Sequence, residues 1–430
     1  MMNEPILVIG AGAAGLMAAY ELSGAGLPVV VVEAMDRPGG RIHTIRGEDF
    51  STQVEAGAEF VHGSLPITLG LLKAAGISYS AVKGNMRRVR KGEWIEEDLF
   101  SGDWEELLQR MEQLDEDISI ETFLETYFAD ERYALLRSSI RGLAEGYDLV
   151  DVRRASTRAL YKEWQEEGQT EFRIDGGYDQ LIGYLRDECL ARGCEIRYDA
   201  PVKDIHWRPG RVELEVVGAS GQRIIGAKLI TTVALGVLQL GPGLPGALQF
   251  TPDISAYRQA MYEMGYGEII KVLMEFRSPF WMTKGDSIGF ILSDEAVPTW
   301  WTQSSAGSHL LTAWIPAQAM RDFRALSAKE QQAAALESLS RIFGEGVSSL
   351  RSLLMAFKVC DWTQVPYVRG GYSYETVGSE MARARLRQPI DDTLYFAGEA
   401  LYEGTSLATV EAALHSGKDV AEAILGRSGR

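Results

Sequence analysis

Pro5-Ile6-Leu7-Val8-Ile9-Gly10-Ala11-Gly12-Ala13-Ala14-Gly15-Leu16 is the stretch on which the fold of this chain turns. Its first half is a continuous apolar run rich in β-branched residues, which suits a strand buried on both faces of a parallel sheet. Its second half spaces three glycines as Gly-x-Gly-x-x-Gly, and from Leu16 through Leu22 the apolar period turns helical. After Gly24 and Gly26 a second apolar run, Val29 to Val32, ends on Glu33. Strand, glycine turn, helix, strand and terminal acid in this order make a βαβ unit. The glycines permit a tight turn and bring backbone N–H groups close to a pyrophosphate at the helix N-terminus, while the acid bonds a ribose hydroxyl. The unit predicts a dinucleotide site at Gly10, Gly12, Ala13, Ala14, Gly15 and Glu33; the bland alternative is a glycine-rich turn without ligand.

The composition agrees with a cofactor-binding enzyme and excludes several other classes. The chain has 430 residues, 45 of them glycine, with 46% hydrophobic and 24% charged residues. At about 150 residues per domain this is two or three globular domains, not a disordered, collagenous or coiled-coil chain. A net charge of −17 opposes nucleic-acid phosphates and anionic lipid but tolerates small cations. Cys189, Cys194 and Cys360 are too few and too oddly spaced for a disulfide framework or a zinc site, so no metal is expected and a reducing compartment, the cytoplasm, fits. The first residues show no cationic leader, and nowhere do about twenty apolar residues run together, so no membrane anchor is expected.

Beyond the βαβ unit, Glu33-Ala34-Met35-Asp36-Arg37-Pro38-Gly39-Gly40-Arg41 adds a second glycine loop carrying two arginines. A guanidinium beside a glycine loop is a good bidentate phosphate partner; the alternative is a solvated surface arginine. The stretch resembles the FAD-binding signature of the flavin-containing amine oxidase family, which includes monoamine oxidases, polyamine oxidases and the lysine-specific histone demethylase. The resemblance implies that Glu33, Ala34, Arg37, Gly39 and Gly40 line the cofactor and that Arg41 meets its diphosphate. Gln53 to Gly63 resembles the family's next block, in which Gly57, Ala58, Glu59 and Phe60 pass alongside the isoalloxazine, and His62 matches the histidine of spermine-oxidase-like members. Val202 matches the position whose backbone contacts adenine.

Glu268-Ile269-Ile270-Lys271-Val272-Leu273-Met274-Glu275-Phe276 sets one lysine in an apolar strand whose alternation puts Ile269, Lys271 and Leu273 on one face. On a core face such an ammonium must be paired, neutralised or aimed at a polar cavity; on an edge strand it would snorkel to water. The segment resembles the family strand whose lysine holds a water near flavin N5, which implies that role for Lys271. Cys360 to Tyr374 gathers aromatics, paired glycines and a proline, and is similar to the family segment that places a tryptophan beside the flavin and a tyrosine in an aromatic cage, here Trp362 and Tyr372. Aromatic core is the other reading of those rings. Monoamine oxidases attach flavin through a cysteine immediately before the cage tyrosine; Gly371 stands there, which implies non-covalent FAD. Leu394 to Ala400 and Thr405 to Ala413 resemble the family's closing signature, with Gly398 and Glu399 at the ribityl or diphosphate and the backbone of Thr409 and Val410 at a helix N-terminus facing the pyrimidine end. Thr409 occupies the place of the second cage tyrosine, so the cage is half-open and Tyr402 partly compensates.

Helical patterns run from Trp104 to about residue 147 and from Ala328 to Phe343, and Trp300, Trp301 and Trp314 belong to a sheet-and-cover region. The expected fold is a mixed α/β one, a Rossmann-like FAD-binding domain (1–70, 178–235 and 355–430) interleaved with a substrate domain of mixed sheet plus helices (71–177 and 236–354). The implied activity is FAD-dependent oxidation of an amine with O2 as acceptor, in a monomer or homodimer, with Lys271, Tyr372, Trp362 and His62 catalytic and His62, Tyr372, Thr409 and Tyr402 on the substrate. An L-amino-acid oxidase, or a desaturase or protoporphyrinogen-oxidase-like flavoprotein, would use the same scaffold. An amino-acid oxidase needs a cation for the substrate carboxylate, and the Gly57–Gly63 loop carries none of the arginines usual there.

Overall fold

The computed structural model describes residues 4–47, 49–95, 102–146, 148–165, 170–217, 223–285, 288–303 and 308–426. Ile6–Ile9 is the central strand of a five-stranded parallel sheet in the order Glu195–Arg197, Val29–Val32, Ile6–Ile9, Lys228–Thr231, Leu394–Phe396. Ile6, Val8, Val29 and Val31 pack on one side with helices Ala13–Gly24, Asp179–Ala191 and Val410–Ile424. Leu7, Ile9, Val30 and Val32 pack on the other, against the four-stranded sheet built around Val202–Arg208. Burial of both faces explains why these strands show no polar alternation. The turn between Ile9 and the helix requires its glycines: Gly10 sits at φ +106°, and a Cβ on Gly15 would lie 1.9 Å from the Gly10 carbonyl oxygen.

The second body is a seven-stranded mixed sheet ordered Leu354–Asp361, Ile269–Phe276, Leu310–Pro316, Thr299–Thr302, Ile288–Ser293, Asn85–Arg90, Glu93–Ile95. Ile270, Val272, Met274 and Phe276 pack onto helix Ala328–Phe343. That helix spans the residues the sequence predicts, opened by a Ser327/Glu330 capping box and closed by Gly344 in the left-handed region. Helices Gly102–Glu112, Ile120–Tyr127, Ala134–Gly146 and Thr157–Gln165 enclose a separate core of Leu107, Met111, Phe123, Phe128 and Trp164. The long helical pattern is interrupted at Phe128–Asp130, where the Asp130 carboxylate caps a short 3-10 turn, and Tyr147 lies outside the described residues.

Two of the expected domain limits fall inside elements. Leu354–Asp361 pairs with Ile269–Phe276, so the residues just after 355 belong to the seven-stranded sheet. Gln249–Thr251 pairs with Val202–Arg208, so the chain has not left the first body at 236. Among the described residues no helix is long and apolar enough to cross a membrane. Gly15→Val is expected to lower the thermal midpoint sharply, a cost of about 3 kcal/mol or more from overpacking. Gly26→Ala, at φ +81° in open space, is expected to cost only about 1 kcal/mol. Circular dichroism melts of the two variants test this, and equal midpoints would contradict it.

Candidate active site

Alternation along Ile269–Phe276 turns Lys271 away from the helix-covered core and toward the Gly57–Phe60 loop. This strand is interior, flanked on both sides, so the edge-strand alternative for Lys271 does not hold. The Lys271 ammonium is 3% exposed and donates to Glu59 Oε2 at 2.7 Å and to the Gly57 carbonyl at 3.1 Å. Glu59 is therefore first a counter-ion. Its other oxygen accepts from Arg173 Nε at 3.0 Å, Trp301 Nε1 at 3.0 Å and Gln303 Nε2 at 2.7 Å. Burial alone would push this carboxyl up, but Lys271 and Arg173 outweigh it and hold it at about 2. Nearby Glu55 has no ion pair among the described residues; burial pushes it up to about 7 although it accepts from the Tyr178 amide and the Thr44 hydroxyl.

An aromatic wall stands beside the pair. The Trp301 ring lies 5.3 Å from the Lys271 nitrogen, 6.0 Å from Phe60 and 5.2 Å from Trp314, and Phe290 is 5.7 Å from Phe60. His62, 44% exposed at the rim, is 6.0 Å from Phe60 and bonds Glu171 through Nδ1 at 3.1 Å. Arg173, Trp301, Trp314 and Phe290 are site residues that sequence reasoning missed. The tryptophans were visible as strand residues, but which one faces Lys271 depends on cross-strand register.

The first glycine loop has the features a pyrophosphate needs. Helix Ala13–Gly24 starts with no side-chain cap and no acid in its first turn, which leaves its N–H groups open. A Cβ on Gly40 would reach the Gly12 Cα at 4.0 Å, so the two glycine loops face each other, joined by the Gly39 amide donating to the Ala11 carbonyl at 2.8 Å. Glu33 accepts from the Ala11 and Met35 amides at 2.7 and 2.9 Å, beside Ala34 at the end of its strand. Burial raises its pKa against the pull of those amides. Asp199 and Ala200 bond back to Met35 and Glu33, which brings the start of the Val202 strand alongside.

The two arginines differ. Arg37 spends its guanidinium on the carbonyls of Pro38, Gly40 and Ile42. These bonds hold the loop's shape. Arg41 Nη1 donates to Glu399 at 2.9 Å and to the Gly371 carbonyl at 2.7 Å, while Nε and Nη2 have no hydrogen-bond acceptor among the described residues and the guanidinium lies 6.0 Å from the Tyr266 ring. That open edge fits a phosphate oxygen. Glu399, next to Gly398, also accepts from the Ser373 amide and hydroxyl, so one carboxylate ties the first, cage and closing segments together.

The remaining expected residues are distributed differently. Trp362 is buried among Phe50, Val54, Ala56 and Leu273, donates to the Ala56 carbonyl at 2.8 Å, and backs the Gly57–Ala58 turn from below. Tyr372 is half-buried, its backbone pinned by the Gly267 amide at 2.7 Å. Tyr402 packs on His415 at 5.0 Å. The Thr409 hydroxyl caps helix Val410–Ile424 and bonds the Ser406 carbonyl, and the helix starts at Val410 as the sequence predicts. Glu411, also missed, is buried and accepts from Ile67, Thr68 and the Thr68 hydroxyl, capping helix Pro66–Ala75 from a distant segment.

A doubly covered βαβ sheet with an open glycine cradle, joined to an aromatic sheet face with a buried lysine, has the architecture of a flavoprotein oxidoreductase. Residues 13–425 match the family described as flavin containing amine oxidoreductase, and the chain belongs to that family, with flavin as its cofactor. It is 25% identical to lysine-specific histone demethylase 1 homolog 3 of Arabidopsis thaliana over 93% of this chain and 28% of the relative. It is 26% identical to polyamine oxidase 2 of the same plant over 99% of this chain and 90% of the relative. The chain thus spans under a third of one relative and most of the other. Its fold is shared with a putrescine oxidase solved with putrescine bound (TM-score 0.81, 21% identity, 99% of each chain). The cyclohexylamine oxidase of Brevibacterium oxydans shares it as well (TM-score 0.79, 21% identity, all of each chain).

Glu59→Gln strands two cations in the interior and is expected to cost about 3–5 kcal/mol in urea unfolding at neutral pH. Because Glu59 is held below its ordinary value of 4.5, its contribution is present above that pH and is lost as pH falls toward about 2. Glu55 has the opposite sign: its raised pKa gives stability that is present below 4.5 and lost as pH rises through about 7. Glu55→Gln should therefore flatten the loss of stability across that interval, and an unchanged slope would contradict the placement of Glu55.

Proposed function

We propose that the chain is an FAD-dependent oxidase of primary or secondary amines, forming an imine that water hydrolyses to the aldehyde while O2 becomes H2O2. The observation that carries the proposal is the buried Lys271 ammonium, held inside a sheet and aimed at the loop that carries Gly57, Ala58 and Phe60. Gly10, Gly12, Gly15, Gly39, Gly40, Glu33 and Arg41 are placed to hold FAD without a covalent link, since Gly371 stands before Tyr372. When bound, FAD supplies the acceptor for a hydride equivalent from the carbon next to nitrogen and passes the electrons to O2.

The protein's part is positioning, water control and charge. Lys271 uses two of its three N–H donors on Glu59 and Gly57; among the described residues the third has no hydrogen-bond acceptor and is available to fix a water. Phe60, Phe290 and Trp314, packed around the buried Trp301, offer flat apolar faces to a neutral amine and its carbon chain. Tyr372 orients the nitrogen, Trp362 stiffens the Gly57 turn, and the exposed His62, bonded to Glu171, contacts the substrate. An amino-acid oxidase needs a cation for a substrate carboxylate. Arg173 is already committed to Glu59 and the Thr302 carbonyl, which favours amines.

We place the enzyme in the cytoplasm as a monomer or homodimer; its cysteines are free thiols. A peroxide assay over putrescine, spermidine, spermine, arylalkylamines and amino acids tests the reading. Release with at least one amine and none with amino acids supports it; a colourless protein, or turnover of amino acids alone, overturns it. Lys271→Met should keep FAD yet slow turnover at least tenfold, about 1.4 kcal/mol in the barrier. Unchanged turnover would remove Lys271 from the site.

A further inference from the structure

We propose that Cys189 and Cys194 form a peroxide-reactive dithiol, in which Cys194 is oxidised first and Cys189 resolves the product to an internal disulfide. The oxidant is hydrogen peroxide, the product of the oxidase reading above, on which this role rests.

The pair is set by the way one helix ends. Helix Asp179–Ala191 is capped by Arg192 and followed by Gly193 at φ +84°. The Gly193 amide donates to the Leu190 carbonyl at 3.0 Å, and the Cys194 amide donates to the Cys189 carbonyl at 3.0 Å. Together these bonds make a Schellman motif, which brings the third-last helical residue against the second residue past the cap. An apolar contact frequently sits there; here both places hold cysteine, and the two thiols hydrogen-bond to each other. A backbone hydrogen bond between the two residues keeps their Cα atoms near the separation that a disulfide spans, about 4.4–6.8 Å.

Their surroundings separate the two roles. Cys194 opens the short edge strand Glu195–Arg197, between exposed Gly193 and Glu195, and is 6% exposed, whereas Cys189 is 0% exposed. Fraying of that edge admits a molecule little larger than water to Cys194 first. Hydrogen bonds from Cys189 and Ser23 pull the Cys194 thiol down against burial, while the shared bond and burial push Cys189 up. The Cys194 thiolate attacks one peroxide oxygen: the S–O bond forms, the O–O bond breaks, and the departing hydroxide takes a proton to become water. Cys189 then loses its proton and attacks the sulfenic sulfur, so that the S–S bond forms, the S–O bond breaks and a second water leaves. Two thiols are oxidised and one peroxide is reduced.

The pair lies under the cofactor cradle. Cys189 Sγ donates to the Leu16 carbonyl at 3.5 Å and Cys194 Sγ to the Ala19 carbonyl at 3.8 Å, both on the helix that opens at the first glycine turn. Further oxidation of Cys194 to a sulfinate would place a charge against that helix, which burial makes costly. The disulfide is neutral and reducible, so the resolving thiol spares the cradle.

The test uses the FAD-loaded full-length protein as wild type, Cys189→Ser and Cys194→Ser, treated with hydrogen peroxide while folded, then alkylated and digested with trypsin. Cleavage after Arg192 separates the two cysteines, so a disulfide appears as two joined peptides. Wild type should give the joined peptides, and dithiothreitol should restore both thiols. Cys189→Ser should instead accumulate sulfinic acid at Cys194, and Cys194→Ser should lose the Cys189 thiol about tenfold more slowly than wild type. Absence of the joined peptides, or a Cys189 thiol lost as fast without Cys194, overturns the pair; should a variant fail to fold, the wild-type peptides decide alone. Because the peroxide is added, a protein that forms the bond yet oxidises no amine keeps the pair and loses the amine reading.

Discussion

A lysine ammonium and a glutamate carboxylate, both almost wholly buried and 2.7 Å apart, are the constraint on which the rest depends. Either charge alone in this interior would cost several kcal/mol, so each is tolerable only where the other is held in place. Lys271 belongs to an interior strand of the seven-stranded sheet, and Glu59 to the glycine-rich loop that follows the second FAD-binding segment. Their pairing therefore locks the substrate sheet onto the cofactor half. A second tie, Arg41 to Glu399, joins the first glycine-loop segment to the closing one, with Ser373 and the Gly371 carbonyl between them.

From these two ties the division of labour follows. The first body offers open backbone donors, two facing glycine loops and an edge of Arg41 with no hydrogen-bond acceptor among the described residues, all suited to anionic phosphates. The other half offers aromatic faces and a hydrogen-bonded ion cluster from which water is largely excluded. Where the halves meet, one Lys271 N–H has no acceptor among the described residues. Such a junction is rigid because each of its polar members is bonded to a residue far away in sequence.

Much of the fold was legible because it is encoded locally. The apolar run Ile6–Ile9, the glycine spacing to Gly15, the acid at Glu33 and the capped helix Ala328–Phe343 each declare themselves within a few residues. Lys271 stood out for the same reason, as a lone charge in a β-branched strand, and its face was correctly given by alternation. What alternation could not show was the partner. Arg173, Trp301 and Gln303 converge on Glu59 only through strand register and sheet packing, so no local pattern points to them. For Arg37, Thr409 and Tyr402, motif position suggests ligand contacts but does not show the protein contacts the side chains also make, holding a loop, capping a helix and packing on a histidine. The limits drawn near 236 and 355 are crossed by β-pairings, which no local pattern announces.

The central claim is that the Lys271–Glu59 junction is the place where flavin and amine meet. A crystal structure of the protein with FAD tests this most directly. The account predicts the isoalloxazine between the Gly57–Phe60 loop and Lys271, with the Lys271 ammonium reaching it directly or through one water and the Phe60–Trp301 wall lining the adjoining space. An isoalloxazine lying elsewhere, with the Lys271–Glu59 pair sealed behind protein, would contradict it.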